Sequence, residues 1–132
     1  MPEHATIERA KEDEKEGKAP TTQAGEFVRE EMHHIREGKH GARSTKQAIA
    51  IGLSKARRAG VKLPPPRRAK ATSKTRHQAQ RDYAKGQVSP NHKPDPSRSR
   101  ATAQALKREG HSAASRQALS RQARSAARQR SP

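Results

Sequence analysis

The chain has 132 residues, 30 Lys and Arg against 13 Asp and Glu, a formal net charge of +17, and no cysteine. Leu, Ile, Val and Phe together number twelve, about 9%, and highly charged chains below roughly 20% tend to stay disordered. A single large core, a disulfide scaffold and thiolate metal sites are therefore excluded, and no apolar run approaches a membrane span or a signal-peptide core. A cytoplasmic chain with no membrane partner is the expectation.

The charge is unevenly laid out. Residues 1–37 carry ten acidic and six basic side chains, a net of −4, whereas residues 38–132 carry twenty-four Lys and Arg against only Asp82, Asp95 and Glu109, a net of +21. Such an asymmetry points to a polyanionic partner. Nucleic acid is the commonest, because neutralising phosphates releases condensed counterions and gives affinity without a shaped pocket.

In chain order, glycine and proline divide the sequence into short helical pieces. Gly17, Gly38, Gly60, Gly86 and Gly110 mostly follow a polar or charged run of helix formers, as helix-ending glycines do, and no alternating run of β-branched or aromatic residues suggests a strand. The fold class read from this pattern is mainly α: an acidic N-terminal segment (1–21), a helical hairpin (22–62) and a basic Pro/Ser/Ala/Arg-rich tail (63–132), largely disordered or conditionally helical. The first helix, Ile7 to Glu16, has one large apolar residue and reads as solvated or frayed. The second, Thr22 to Glu37, places Ala24, Phe27, Val28, Met32 and Ile35 in one apolar arc that Glu31 interrupts, with Glu26, Glu30, His33 and Glu37 opposite.

The third helix has the sharpest start signal. Ser44, three residues before Gln47, has the spacing of a capping box. Ile49, Leu53 and Ala56 then line one face, flanked by Ala48, Gly52 and Ala59, and Gly60 followed by Val61 supplies the stop. The second and third helices are expected to pair across a flexible Gly38–Arg43 loop, marginally stable alone, so that weak self-association or folding on a partner follows. Pro64, Pro65 and Pro66 end that unit. Beyond them, Lys70–Lys85, Arg100–Glu109 and Ala113–Arg130 are helix-compatible, separated by a Pro/Ser loop at 89–99, with too little apolar area to dock firmly.

The candidate nucleic-acid-binding residues are the cations these helices display. Arg43 precedes the cap, Lys46 and Arg57 flank the apolar stripe, and Lys55 and Arg58 lie opposite Leu53. In the last segment the tetrapeptide S-R-Q-A occurs at 115–118 and at 120–123, and Arg121, Arg124 and Arg128 form a stripe at i, i+3 and i+7, with Arg116 one copy earlier. The stripe repels itself when free and becomes favourable when phosphates intervene. Stacking on single strands is disfavoured, since Phe27 is a core candidate and Tyr83 is the only tail aromatic. Glu26, Glu30 and Glu37 are candidates to pair with the basic tail in the free protein.

Glu30 with His33, and Glu31 with His34, show the Glu-x-x-His spacing of bundle di-metal sites, and His40 lies nearby. Such sites draw further carboxylates from other helices, so neither a metal nor any other cofactor is expected. No nucleophile elbow, phosphate loop or dinucleotide fingerprint occurs, and an enzyme is not expected.

The stretch Ser44-Thr45-Lys46-Gln47-Ala48-Ile49-Ala50-Ile51-Gly52-Leu53-Ser54-Lys55-Ala56-Arg57-Arg58-Ala59-Gly60 resembles a motif of small, basic, largely uncharacterised bacterial proteins, some labelled plasmid stabilisation or DNA-binding proteins. The preceding stretch from Gly25 to Gly41 is similar to them too. The resemblance implies a bacterial source, and with the basic composition the expectation is a nucleoid-associated or plasmid-maintenance accessory role. The expected function is thus sequence-tolerant nucleic-acid binding, with DNA favoured over RNA. The alternatives are an RNA- or ribosome-associated basic protein and a protein-interaction module with a solubilising tail.

Overall fold

A computed structural model describes the backbone of residues 2–90 and 95–130; residues 91–94, within the expected Pro/Ser loop, lie outside the described residues. Six α-helices are present there and no strand: α1 (His4–Lys15), α2 (Pro20–Arg36), α3 (Thr45–Arg58), α4 (Ser73–Val88), α5 (Pro96–Lys107) and α6 (Arg116–Arg130). The chain is mainly α, as the sequence suggests, and α4–α6 carry helix through the segment read as largely disordered or conditionally helical. The described residues form two compact units, one from 2–30 and 51–90 and the other from 31–50 and 95–130.

The core of the first unit is built from small residues around the chain's single phenylalanine. Ala10, Ala24, Phe27, Ala56, Val61 and Leu63 are buried together, with Ile7, Leu53 and Ala59 packed against them. Helix α1 is therefore docked rather than solvated. Two apolar residues suffice because polar contacts supplement them: the Glu30 carboxylate accepts from the Glu3 N–H at 2.6 Å and from the Thr6 hydroxyl at 3.0 Å, which sets a negative charge at the start of α1, where free N–H groups favour one.

Helices α2 and α3 meet where a Cβ on Gly52 would lie 2.7 Å from the Val28 Cα. So close an approach admits only small side chains at the seam. Gly52 and the neighbouring Ala56 are accordingly small and buried, while Ile49 and Leu53, expected to lead that face, are only half-buried. Gly17, Gly38 and Gly60 have φ of 75°, 79° and 101°, the left-handed backbone that lets glycine close a helix.

Gly86 does something else. It lies inside α4, and a Cβ there would strike the Arg57 carbonyl oxygen, so the glycine expected to end a helix instead lets α4 press against the end of α3. The second fastening is Asp82, 2% exposed, which accepts from the Ser54 hydroxyl at 2.7 Å, Arg58 Nε at 2.9 Å and Gln78 Nε2 at 3.1 Å. One of only three acids in the basic half thus docks α4 without the apolar area that seemed necessary.

In the second unit Met32, Ile35, Ala42, Ala48, Ala113 and Ala114 are buried. The loop after α2 is strapped by backbone bonds, Gly41 N–H to Leu106 O at 2.8 Å and Ala42 N–H to Gly110 O at 2.9 Å. A Cβ on Gly41 would collide with the Glu109 carbonyl oxygen, so the loop read as flexible is held in place and requires glycine there.

Candidate nucleic-acid interface

The capping box forms with one arm displaced. Ser44 Oγ accepts from the Gln47 N–H at 3.1 Å, and Gln47 Oε1 accepts from the Arg43 N–H at 2.6 Å, one residue before the expected Ser44 N–H. Arg43 is thereby fixed at the mouth of α3, where free N–H groups and the helix dipole favour an anion. The Thr45 hydroxyl donates to Ala113 O at 2.6 Å and Arg36 Nε donates to Ala114 O at 3.0 Å. These bonds anchor the 3₁₀ turn Ser112–Ala114 that leads into α6. Ser115 Oγ then caps α6 by accepting from the Ala118 N–H at 3.1 Å.

The result is an open cleft of about 680 Å³ between the start of α3 and α6. Arg43 and Lys46 line one side and Arg121, Arg124 and Arg128 the other, with Ser44, Ser112, Gln122 and Ser125 between them. All five cations are exposed, and among the described residues no acidic side chain lines the cleft. Five like charges on one concave surface repel one another, and an anion in the cleft relieves that repulsion.

Four of the nine residues chosen from sequence do not join this group. Arg116 opens α6 off the 121/124/128 stripe, and is exposed. Lys55, Arg57 and Arg58 belong to the first unit. Arg57 is a correction: it is 7% exposed, and its guanidinium donates to Leu63 O and Pro64 O, each at 3.1 Å. Burial pushes it below the usual arginine range, and the Asp82 charge opposes that only in part. It staples the segment before the prolines and offers no free face to phosphate. Arg58 is tied to Asp82, as described, and Lys55 is half-buried and already engaged.

The acids also find other partners than the basic tail. Glu26 pairs with Arg9 at 3.0 Å and Glu37 with Lys39 at 3.3 Å, while Glu30 is buried at the start of α1. Sequence reasoning missed the hydroxyl and amide groups of the cleft, although the repeat carried the signal. Its first copy supplies the Ser115 cap, and its second supplies Arg121 and Gln122.

Among known proteins, a family of unknown function (DUF6496) matches residues 21–68, about a third of the chain. The match spans α2, α3 and the proline segment, and leaves α4–α6 outside. No curated protein and no solved structure matches. No helix among the described residues is long and apolar enough to cross a membrane.

Proposed function

We propose that the protein binds nucleic acid with little regard to sequence, through phosphate contacts in the α3/α6 cleft, and that its physiological ligand is duplex DNA. The observation that carries this reading is the convergence of Arg43, Lys46, Arg121, Arg124 and Arg128 on one surface without an acid among them. Arginine side chains and helix N-terminal amides are the groups that most often hold phosphate oxygens, and they position a protein on the duplex without reading bases. The protein is in this view a binding protein, not an enzyme.

The finer parts of the account follow from the same physics. Helices α2 and α3 act as a hairpin that presents Arg43 and Lys46, and α6 is conditionally helical, its self-repelling arginine stripe gaining helix stability once phosphates lie along it. The resemblance over Ser44–Gly60 supports a nucleoid-type or plasmid-maintenance accessory role, and contacts made through phosphates carry no sequence information of their own.

Parallel anisotropy titrations with duplex DNA, duplex RNA and single strands test the choice of ligand. Two unrelated DNA duplexes are expected to bind within a few-fold of each other, and more tightly than single strands, for lack of aromatic stacking. Preference for duplex RNA transfers the reading to the RNA-associated alternative. Absence of binding to all three ligands removes it.

A further inference from the structure

Glu31 and His34 sit three residues apart on α2 and so share a face. Sequence places His40 nearby but does not bring it to that face. The fold does. Gly38, with φ of 79°, turns the backbone after α2, the Gly41 and Ala42 amides tie the loop to Leu106 and Gly110, and His40 is carried back toward α2. Its Nε2 lies 3.1 Å from Glu31 Oε2, its ring meets the His34 ring edge to face at 6.0 Å, and one ligand atom from each of the three residues lies within 4.8 Å of the others.

We propose that Glu31, His34 and His40 form a binding site for a divalent transition-metal ion, with Zn²⁺ as its principal occupant. The tautomer of His40 is the independent observation that favours a metal. His40 Nδ1 is 2.8 Å from the Gly41 carbonyl oxygen, an atom that can only accept, so Nδ1 carries the proton and donates. In the neutral ring Nε2 then has a bare lone pair, buried and making no hydrogen bond, and it points at a carboxylate oxygen. Two lone pairs at that distance need a proton or a metal ion between them, and the second imidazole, His34, within reach of both atoms favours the metal. A backbone carbonyl holding the far nitrogen is also how metal-ligating histidines are commonly oriented.

The spacing fits. Ligands bound tetrahedrally at about 2.0–2.1 Å lie roughly 3.3 Å apart, close to the Nε2–Oε2 separation. Two imidazoles and one carboxylate suit Zn²⁺, with water in the fourth position, and do not suit Ca²⁺ or Mg²⁺, which take oxygen ligands. The ion would also neutralise Glu31, which is fully buried, and pin the loop that leads to Arg43. The site stands independently of the nucleic-acid reading.

The test uses the full chain, stripped with a chelator and titrated with Zn²⁺ alone by calorimetry, without DNA. One saturable equivalent is expected, with no heat from Mg²⁺ or Ca²⁺, and Co²⁺ should give the intense visible absorption of a tetrahedral site. His34→Ala and His40→Ala should each weaken Zn²⁺ binding by at least the 10- to 100-fold seen on losing mere outer-shell support. His33→Ala, at an exposed neighbour, should leave it unchanged. In the unmutated protein, Zn²⁺ should shift the His34 and His40 ring resonances together, a readout independent of how the variants fold. No saturable equivalent, equal loss with His33→Ala, or ring shifts confined to other histidines would overturn the proposal and leave Glu31 and His40 as an ion pair.

Discussion

Replacing Arg121, Arg124 and Arg128 together by glutamine is expected to weaken duplex DNA binding by on the order of 10²–10³-fold at ~0.1 M salt. The magnitude follows from counterion release, since each neutralised phosphate contributes about 0.9 to the salt exponent and three contribute about 2.7. Glutamine retains helix propensity close to that of arginine, so α6 is not lost for local reasons. The three residues line one side of the cleft without being buried, and the loss should be equal for unrelated sequences. An anisotropy titration at several salt concentrations checks both the affinity and the slope. If neither changes, α6 takes no part in binding and the cleft reduces to Arg43 and Lys46.

Phe27→Ala should cost about 3–5 kcal/mol, the usual range for emptying a buried phenylalanine site. Phe27 is 1% exposed, and its cluster partners are mainly alanines, with Val61 and Leu63. Small neighbours cannot swing into the vacated volume. A small domain has only about 5–15 kcal/mol of total stability, so the first unit should melt many degrees earlier in a circular-dichroism scan, at roughly 4–8 °C per kcal/mol. A shift of only a degree or two would mean that Phe27 does not organise this core.

Much of the helical layout was legible because its signals are local. The positive φ of Gly17, Gly38 and Gly60 and the Ser44 cap are decided within a few residues, and composition alone announces them. The contacts between helices were not legible, because in this chain they do not rest on large apolar residues. Asp82 and Gly86 look like a stray charge and a helix stop, yet one satisfies three donors and the other admits a carbonyl oxygen. A hydrophobic-stripe reading of α3 selects Ile49 and Leu53, whereas the close approach at Val28 selects Gly52. Arg57 was misread for the same reason: its charge was visible, and the carbonyls it serves were not.

The cleft was half legible. Its arginine stripe is a local pattern on α6, and Arg43 and Lys46 are local to the start of α3. What joins them is a pair of side-chain bonds, from Thr45 and Arg36 to the carbonyls of Ala113 and Ala114, across nearly seventy residues or more of sequence that no periodicity spans.

The central claim is that five cations in the α3/α6 cleft neutralise phosphates, and the salt dependence of duplex DNA binding by the full unmodified chain tests it most directly. With five phosphates neutralised, the plot of log affinity against log salt should have a slope of about −4.5, and affinity should fall on the order of 10³-fold between ~50 and ~200 mM. A slope near zero would contradict the claim.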